Sequence, residues 1–189
     1  MKSSTSTLRI IGGKWKSRKI KFIPLKGVRP TTDLTRETLF NWLSPSINNA
    51  NCLDLFAGSG ALGLEALSRG AKHVVMVDSS IKVIKQLKAN AESLEADNAD
   101  FYCLDIPRRL NKIPEQTFDV VFIDPPFHEN LIKPSLEKLI ASSYLAKDAL
   151  IYIEAEKKLD VKKDLPETWQ ILREKTYGLA KTYMLQKNN

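Results

Sequence analysis

Cysteine and histidine are scarce in this chain of 189 residues, with two of each. Cys52 and Cys103 stand far apart in apolar runs. That excludes a disulfide framework and predicts two buried free thiols in a reducing compartment. With only His73 and His128, a zinc site or a Ser-His-Asp triad has little to work with, and no metal is expected. Long apolar runs are also missing. The longest, such as Ala149 to Ile153, falls far short of the roughly 20 residues a membrane helix needs. The first residues, MKSSTSTLR, lack the apolar stretch of a secretory leader, so a cytoplasmic protein with no membrane span is expected. Internal repeats and low-complexity segments are absent as well.

The remaining composition is that of a globular protein, 43% hydrophobic and 27% charged, which argues against disorder. The length suits one domain with a small appendage. The net charge of +7 is unevenly spread. Residues 1–40 hold ten of the 29 basic side chains but only two of the 22 acidic ones, Asp33 and Glu37. The basicity therefore belongs to the N-terminal segment, and the rest of the chain is close to neutral. Leu8, Ile10 and Ile11, then Gly12-Gly13, then Lys14 to Phe22 read as two short strands around a turn. Trp15 and Phe22 add aromatic surface among the cations, a combination that suits a phosphate backbone.

Downstream the pattern becomes helical and then alternates. Thr32 or Asp33 can cap a helix that carries Leu34, Leu39 and Trp42 and stops at Pro45. Strands are predicted at 51–56, 73–77, 101–104, 118–123 and 149–153. Helices are predicted at 62–67, 81–94 and 131–145. Such alternation implies a mostly parallel sheet covered on both faces. The end departs from it: 169–175 and 176–186 read as an antiparallel hairpin around Gly178.

Two stretches carry chemistry. In the first, Asp54-Leu55-Phe56-Ala57-Gly58-Ser59-Gly60-Ala61-Leu62-Gly63, a strand runs through a glycine turn into a helix. Glycines let a backbone pass close to a ligand. Asp78 follows Gly58 by 20 residues at the end of the next strand, where an acid can hold ribose hydroxyls. A pyrophosphate would be repelled by Asp54, whereas the ammonium and sulfonium of S-adenosylmethionine would be attracted. In the second, Asp124-Pro125-Pro126-Phe127 follows a buried strand. Its prolines remove two donors and leave two acceptors, the Asp124 carboxylate and the Pro125 carbonyl. Those can hold both hydrogens of an exocyclic base amine while Phe127 stacks on the ring, the arrangement needed to methylate a weak nitrogen nucleophile. Asp105, after the intervening strand, can accept an adenine amine with Ile106 beside the ring.

These residues resemble the bacterial small-subunit ribosomal RNA guanine-N2 methyltransferases of the RsmD type. The match runs through Arg9-Ile10-Ile11-Gly12-Gly13-Lys14, Arg29-Pro30-Thr31-Thr32-Asp33, Arg36 to Leu43, Asp54 to Gly63, Ala66 to Gly70 and Asp124 to Phe127. The resemblance implies a class I S-adenosylmethionine-dependent methyltransferase (Rossmann-like), with a seven-stranded sheet and a basic N-terminal β-hairpin extension. It implies methylation of one guanine N2, position 966 in conventional rRNA numbering, in 16S rRNA of the small subunit or its assembly intermediate, by a default monomer. Thr32, Asp54, Phe56, Ala57, Gly58, Gly60, Asp78, Ser79, Asp105 and Ile106 would then meet the cofactor. Asp124, Pro125 and Phe127 would handle the flipped guanine. Arg9, Lys14, Lys16, Arg18, Lys19, Arg29 and Arg36 would contact RNA. Residues 1–45 would form the RNA grip and cofactor lid, and 46–189 the catalytic domain. The chain departs from the family pattern where Leu34-Thr35 replaces Arg-Val and where Ser80 replaces a frequent second acid.

Three other readings compete. An adenine-N6 methyltransferase uses a similar loop but generally begins it with Asn rather than Asp. A NAD-dependent oxidoreductase fits the glycines and leaves Asp124 to Phe127 unexplained. A non-catalytic ribosome-assembly protein fits the charge alone. Removing residues 1–24 is expected to weaken RNA binding and largely spare the cofactor.

Overall fold

The computed structural model describes residues 6–24 and 32–188. Arg29, expected to contact RNA, lies outside the described residues. The chain opens with an antiparallel pair, β1 (Ser6–Arg9) and β2 (Lys19–Phe22). Its connection is longer than the sequence suggests, because Gly13–Trp15 forms a 3-10 turn instead of extending the second strand. Helix α1 (Asp33–Leu43) follows, capped by the Thr32 side chain, which accepts from the Thr35 N–H.

The body alternates β3 (Asn51–Asp54), α2 (Ala61–Ser68), β4 (His73–Asp78), α3 (Ile81–Ser93), β5 (Ala99–Cys103), β6 (Phe118–Ile123), α4 (Ile132–Ile140) and β7 (Leu145–Glu156). It ends in β8 (Trp169–Tyr177) and β9 (Ala180–Lys187). The seven-stranded sheet has the order β5-β4-β3-β6-β7-β9-β8. It is parallel from β5 to β7, and β9 pairs antiparallel with both β7 and β8. Strand β7 is much longer than the predicted 149–153, because β9 supplies a ladder along Leu150 to Glu156.

The successive apolar residues of β4 and β6 suit strands buried on both faces. One face packs Cys52, Val74, Met76, Val120, Phe122 and Tyr152 beneath α1, α2, α3 and the N-terminal pair. The other packs Leu53, Val75, Val77, Val121, Ile123 and Ile151 beneath α4 and the loops around it. Ile10, Trp15 and Ile20 belong to the first cluster. Trp15 is therefore core rather than aromatic surface, 7% exposed. Cys52 is a buried free thiol as expected, but Cys103 is exposed. It closes the edge strand β5, which pairs with β4 on one side only.

The sheet switches direction between β3 and β6. From β3 the chain proceeds outward to β4 and β5; from β6 it proceeds the other way to β7. Ligands of open α/β sheets gather at the carboxyl ends of the strands flanking such a switch.

Candidate active site

A cavity of about 600 Å³ opens at that switch point, within the range of small-ligand sites. Its floor comes from the loops after β3 and β6. Gly60 begins α2 with φ +79° and Gly58 has φ +48°. Both values lie in the left-handed region, where glycine carries no steric cost. A Cβ on Gly60 would meet the Leu87 side chain at 2.6 Å, so the turn is also packed too closely for a larger residue.

Asp54 ends β3 at 1% exposure. Its Oδ2 accepts the Gly63 N–H at 3.1 Å, while its buried Oδ1 has no hydrogen-bond partner. Burial, and then the Asp124 charge, push its carboxyl up to about 7, against the pull of the Gly63 and Phe56 N–H groups. A buried carboxyl with one unsatisfied oxygen, on a residue that lines the cavity, suits a cationic ligand. Asp78 is used differently. Its Oδ2 accepts the Gly58 N–H at 3.0 Å and its Oδ1 accepts the Ser80 N–H at 2.8 Å. It thus braces the glycine turn from the end of β4, and the Ser80 departure still supplies a backbone donor. Burial raises the Asp78 carboxyl above its ordinary value, opposed by those two N–H groups.

Asp124 and Pro125 leave β6 beside β3 and Asp54, and Phe127 also lines the cavity. The loop is tied down from β7, because Glu156 accepts the His128 backbone N–H and lies 3.2 Å from the imidazole Nδ1. Of the sequence-predicted cofactor residues, Thr32, Asp54, Phe56, Ala57 and Gly58 line this cavity with them. Gly60, Asp78, Ser79, Asp105 and Ile106 are not among its lining residues. They are set along the turn and the ends of β4 and β5. There Asp105 is near Arg108 at 3.6 Å, and Ile106 is 4% exposed within the second core cluster.

The cations divide into two kinds. Lys14, Lys16, Arg18 and Lys19 are exposed, and Lys14 sits 4.2 Å above the Trp15 ring. Arg9 is exposed and paired with Asp33 at 2.7 Å. Arg36 corrects the expectation of an RNA contact, being only 1% exposed. Its guanidinium donates to the Arg9 carbonyl at 2.9 Å and to Asp33 at 2.6 Å, and lies 3.5 Å from Glu65. Glu65, fully buried on α2, also accepts the Ile11 and Gly12 N–H groups at 2.8 Å each and pairs with Arg69 at 2.8 Å. Gly13 is pressed so closely on α2 that a Cβ there would fall 1.8 Å from the Ser68 carbonyl oxygen. The Gly12-Gly13 pair is thus a docking surface for the hairpin. Removing residues 1–24 would uncover the sites of Ile10, Trp15 and Ile20, so side-chain substitution is the cleaner test of RNA contact.

Sequence reasoning missed several lining residues: Phe22, Thr35, Glu154, Tyr177 and Leu179. Glu154 had a readable signal, because it follows the apolar run Ala149 to Ile153 as Asp54 and Asp124 follow theirs. Tyr177 and Leu179 flank Gly178 at the tip of the β8–β9 hairpin and had none. Among the described residues, no three His, Cys, Asp or Glu side chains are grouped to hold a metal ion. No described helix is long and apolar enough to cross a membrane.

The family described as Conserved hypothetical protein 95 matches residues 8–186. Ribosomal RNA small subunit methyltransferase D of Haemophilus influenzae is 44% identical over 186 residues, spanning 96% of this chain and 94% of that one. The Escherichia coli protein of the same name is 41% identical over 185 residues, spanning 98% and 92%. Among solved structures, yhhF of Escherichia coli, proposed to be a methyltransferase, superposes with a TM-score of 0.85 at 42% identity, covering 97% of this chain and 99% of that one.

Proposed function

The chain belongs to the Conserved hypothetical protein 95 family, alongside the ribosomal RNA small subunit methyltransferases D, and from that premise we propose that it methylates N2 of a guanine in 16S rRNA from S-adenosylmethionine. One observation carries the reading. A buried acid with an unsatisfied oxygen, Asp54, shares a cavity with the acceptor pair Asp124 and Pro125. The cofactor supplies a methyl group already activated on a sulfonium, so the protein need only bind, orient and take up a proton.

Asp54 meets the cationic methionine end, Phe56, Ala57, Gly58 and Gly60 shape its bed, and Thr32 lies over it. Asp78 and Ser79 take the ribose side, and Asp105 and Ile106 the adenine side. From the end of β6 the Asp124 carboxylate and the Pro125 carbonyl accept the two N2 hydrogens and aim the nitrogen lone pair at the methyl carbon. Phe127 stacks on the base. The bound cofactor would give up its methyl group and leave as a neutral thioether, so what falls to the chain is the proton. Asp124 takes the proton that N2 releases. Arg9, Lys14, Lys16, Arg18, Lys19 and Arg29 hold the RNA backbone. Residues 1–45 serve as grip and lid and 46–189 as the catalytic body, a monomer acting in the cytoplasm where small subunits assemble.

The test is Asp124→Ala. N2-methylguanosine, read by nucleoside mass spectrometry on unmodified small subunits, should fall at least about a thousandfold. S-adenosylhomocysteine binding and the melting temperature should be retained. Undiminished methylation, or N6-methyladenosine as the wild-type product, overturns the reading.

A further inference from the structure

One acid in the cavity has no task in that reaction. Ile153 of β7 pairs with Ile123 of β6, so Glu154 stands beside Asp124 where β6 ends, while β7 runs on to Glu156. Side chains two apart share a face of a sheet. The Phe122 and Tyr152 rings, 6.4 Å apart, mark the face from which both acids rise into the cavity. Glu154 is only 9% exposed. The Tyr152 hydroxyl donates to its Oε2 at 3.2 Å, and among the described residues it has no ion pair with a Lys or Arg. The groups around it are Asp124 from β6, Asp54 from β3 and Tyr177 from β8, with Thr182 opposite it on β9. Lys181, the nearest cation in sequence on β9, is engaged by Glu174 at 3.3 Å. An acid so placed is costly to ionise. Burial, and then the Asp124 charge, push Glu154 up to about 8, which favours its neutral form in the ligand-free cavity.

A neutral carboxyl offers one acceptor and one donor side by side. Guanine presents the complement next to its N2 amine: the ring N1–H, then the O6 carbonyl. Adenine with its amine at the same place presents a bare N1 and a C–H, and can satisfy only half of the pair. We propose that Glu154 pairs with the N1–H and O6 edge of the target base while Asp124 and Pro125 hold its amine, and so is a specificity-determining residue for guanine. The inference rests on the guanine-N2 reading above.

The experiment compares wild type, Glu154→Leu and Glu154→Gln on unmodified small subunits across about pH 6.5 to 8.8, where the guanine N1–H is retained, with S-adenosylhomocysteine affinity measured alongside. Loss of two hydrogen bonds should lower kcat/KM of the Leu variant by roughly thirty- to a hundredfold, mainly through KM. The Gln variant, which keeps an acceptor and a donor but cannot titrate, should recover at least about tenfold of that loss. Wild-type kcat/KM should fall above about pH 8, and the Gln profile should stay flat there. Cofactor affinity should change less than about twofold in both variants. Leu kcat/KM equal to wild type overturns the inference. So does a Gln variant as impaired as Leu, or one that still loses activity above that pH. If the Leu variant does not fold, the Gln profile alone decides. A wild-type product other than N2-methylguanosine overturns the underlying reading instead, whatever the variants do.

Discussion

Two hairpins border the cavity, and they are held in opposite ways. The C-terminal hairpin, β8 and β9, is an extension of the main sheet, zipped along β7 by backbone pairs from Leu150 to Glu156. Of its cations, Lys181 approaches Glu174, which Lys162 of the preceding 3-10 turn also meets. The N-terminal pair, β1 and β2, forms no part of that sheet. It is fastened to α2 and α3 by a few side chains: Glu65 on the Ile11 and Gly12 N–H groups, Ser68 on the Trp15 N–H, and Asn90 on the Lys21 N–H and carbonyl. Its outward cations Lys14, Lys16 and Lys19 make no ion pair among the described residues. A ladder tolerates almost any side chain, whereas a side-chain clasp demands particular ones. The first hairpin is therefore fragile at points and free to present charge, six basic side chains and no acid between 6 and 22, and the second is robust and carries less of it, four basic side chains against Glu174 between 169 and 187.

The sharpest way to break the comparison is Glu65→Ala. It leaves Arg36 buried without that partner and strips the acceptors from two backbone donors, and should cost about 3–5 kcal/mol, read as a fall in urea midpoint. A loss under about 1 kcal/mol would show that the clasp is not what holds the hairpin. Next is the floor that both hairpins overhang. Asp54 sits at about 7 and must be ionised to meet a cationic ligand. S-adenosylhomocysteine affinity should then rise roughly tenfold per unit as pH climbs toward that value and level off above it. Asp54→Asn should bind more weakly and show no such slope in calorimetry. The same raised value means that the ligand-free fold holds more protons than the unfolded chain from about pH 4 to 7, so Asp54 contributes a loss of stability as pH rises through that window. Third, Lys14→Gln, Lys16→Gln and Lys19→Gln together should weaken RNA about tenfold at physiological salt and reduce the salt slope by about two. Lys162→Gln with Lys181→Gln should leave the slope nearly unchanged. Filter binding across salt concentrations checks both. The smallest effect belongs to Gly178→Ala. With φ +58° and no atom within 4 Å of an added Cβ, it should cost about 1 kcal/mol, visible as a small shift in melting temperature.

The contrast also explains what the sequence made legible. The alternating body could be read because buried parallel strands are continuous apolar runs and each functional acid stands at the end of one. Asp54 and Asp124 were found in that way. Glu154 obeys the same rule, yet its strand continues past it to Glu156 because β9 pairs there, and nothing local announces that ladder. Arg36 is hard to read from sequence for a related reason. A cation three places after Asp33 on a polar-looking helix resembles a surface grip, and only the fold brings Glu65 beside it. Trp15 reads as aromatic surface because its neighbours are lysines, whereas in the fold its 3-10 turn is held by the Ser68 hydroxyl, which accepts the Trp15 N–H. Pairings between distant side chains decide these positions, and periodicity carries no record of them.

Glu65, finally, sits on the same two-turn helix whose first turn gives the Gly63 N–H to Asp54. Whatever is gripped above that helix and whatever lies at its foot share a single fastening. For anyone wishing to transplant this hairpin onto another methyltransferase, it is not a cassette with a cut site at its end. The portable unit must include Glu65, Ser68 and Arg69 along with the strands, and hence the helix that begins at the glycine turn. Swaps that respect the linear boundary should yield loose hairpins on intact bodies, whereas swaps that carry α2 should move the grip whole.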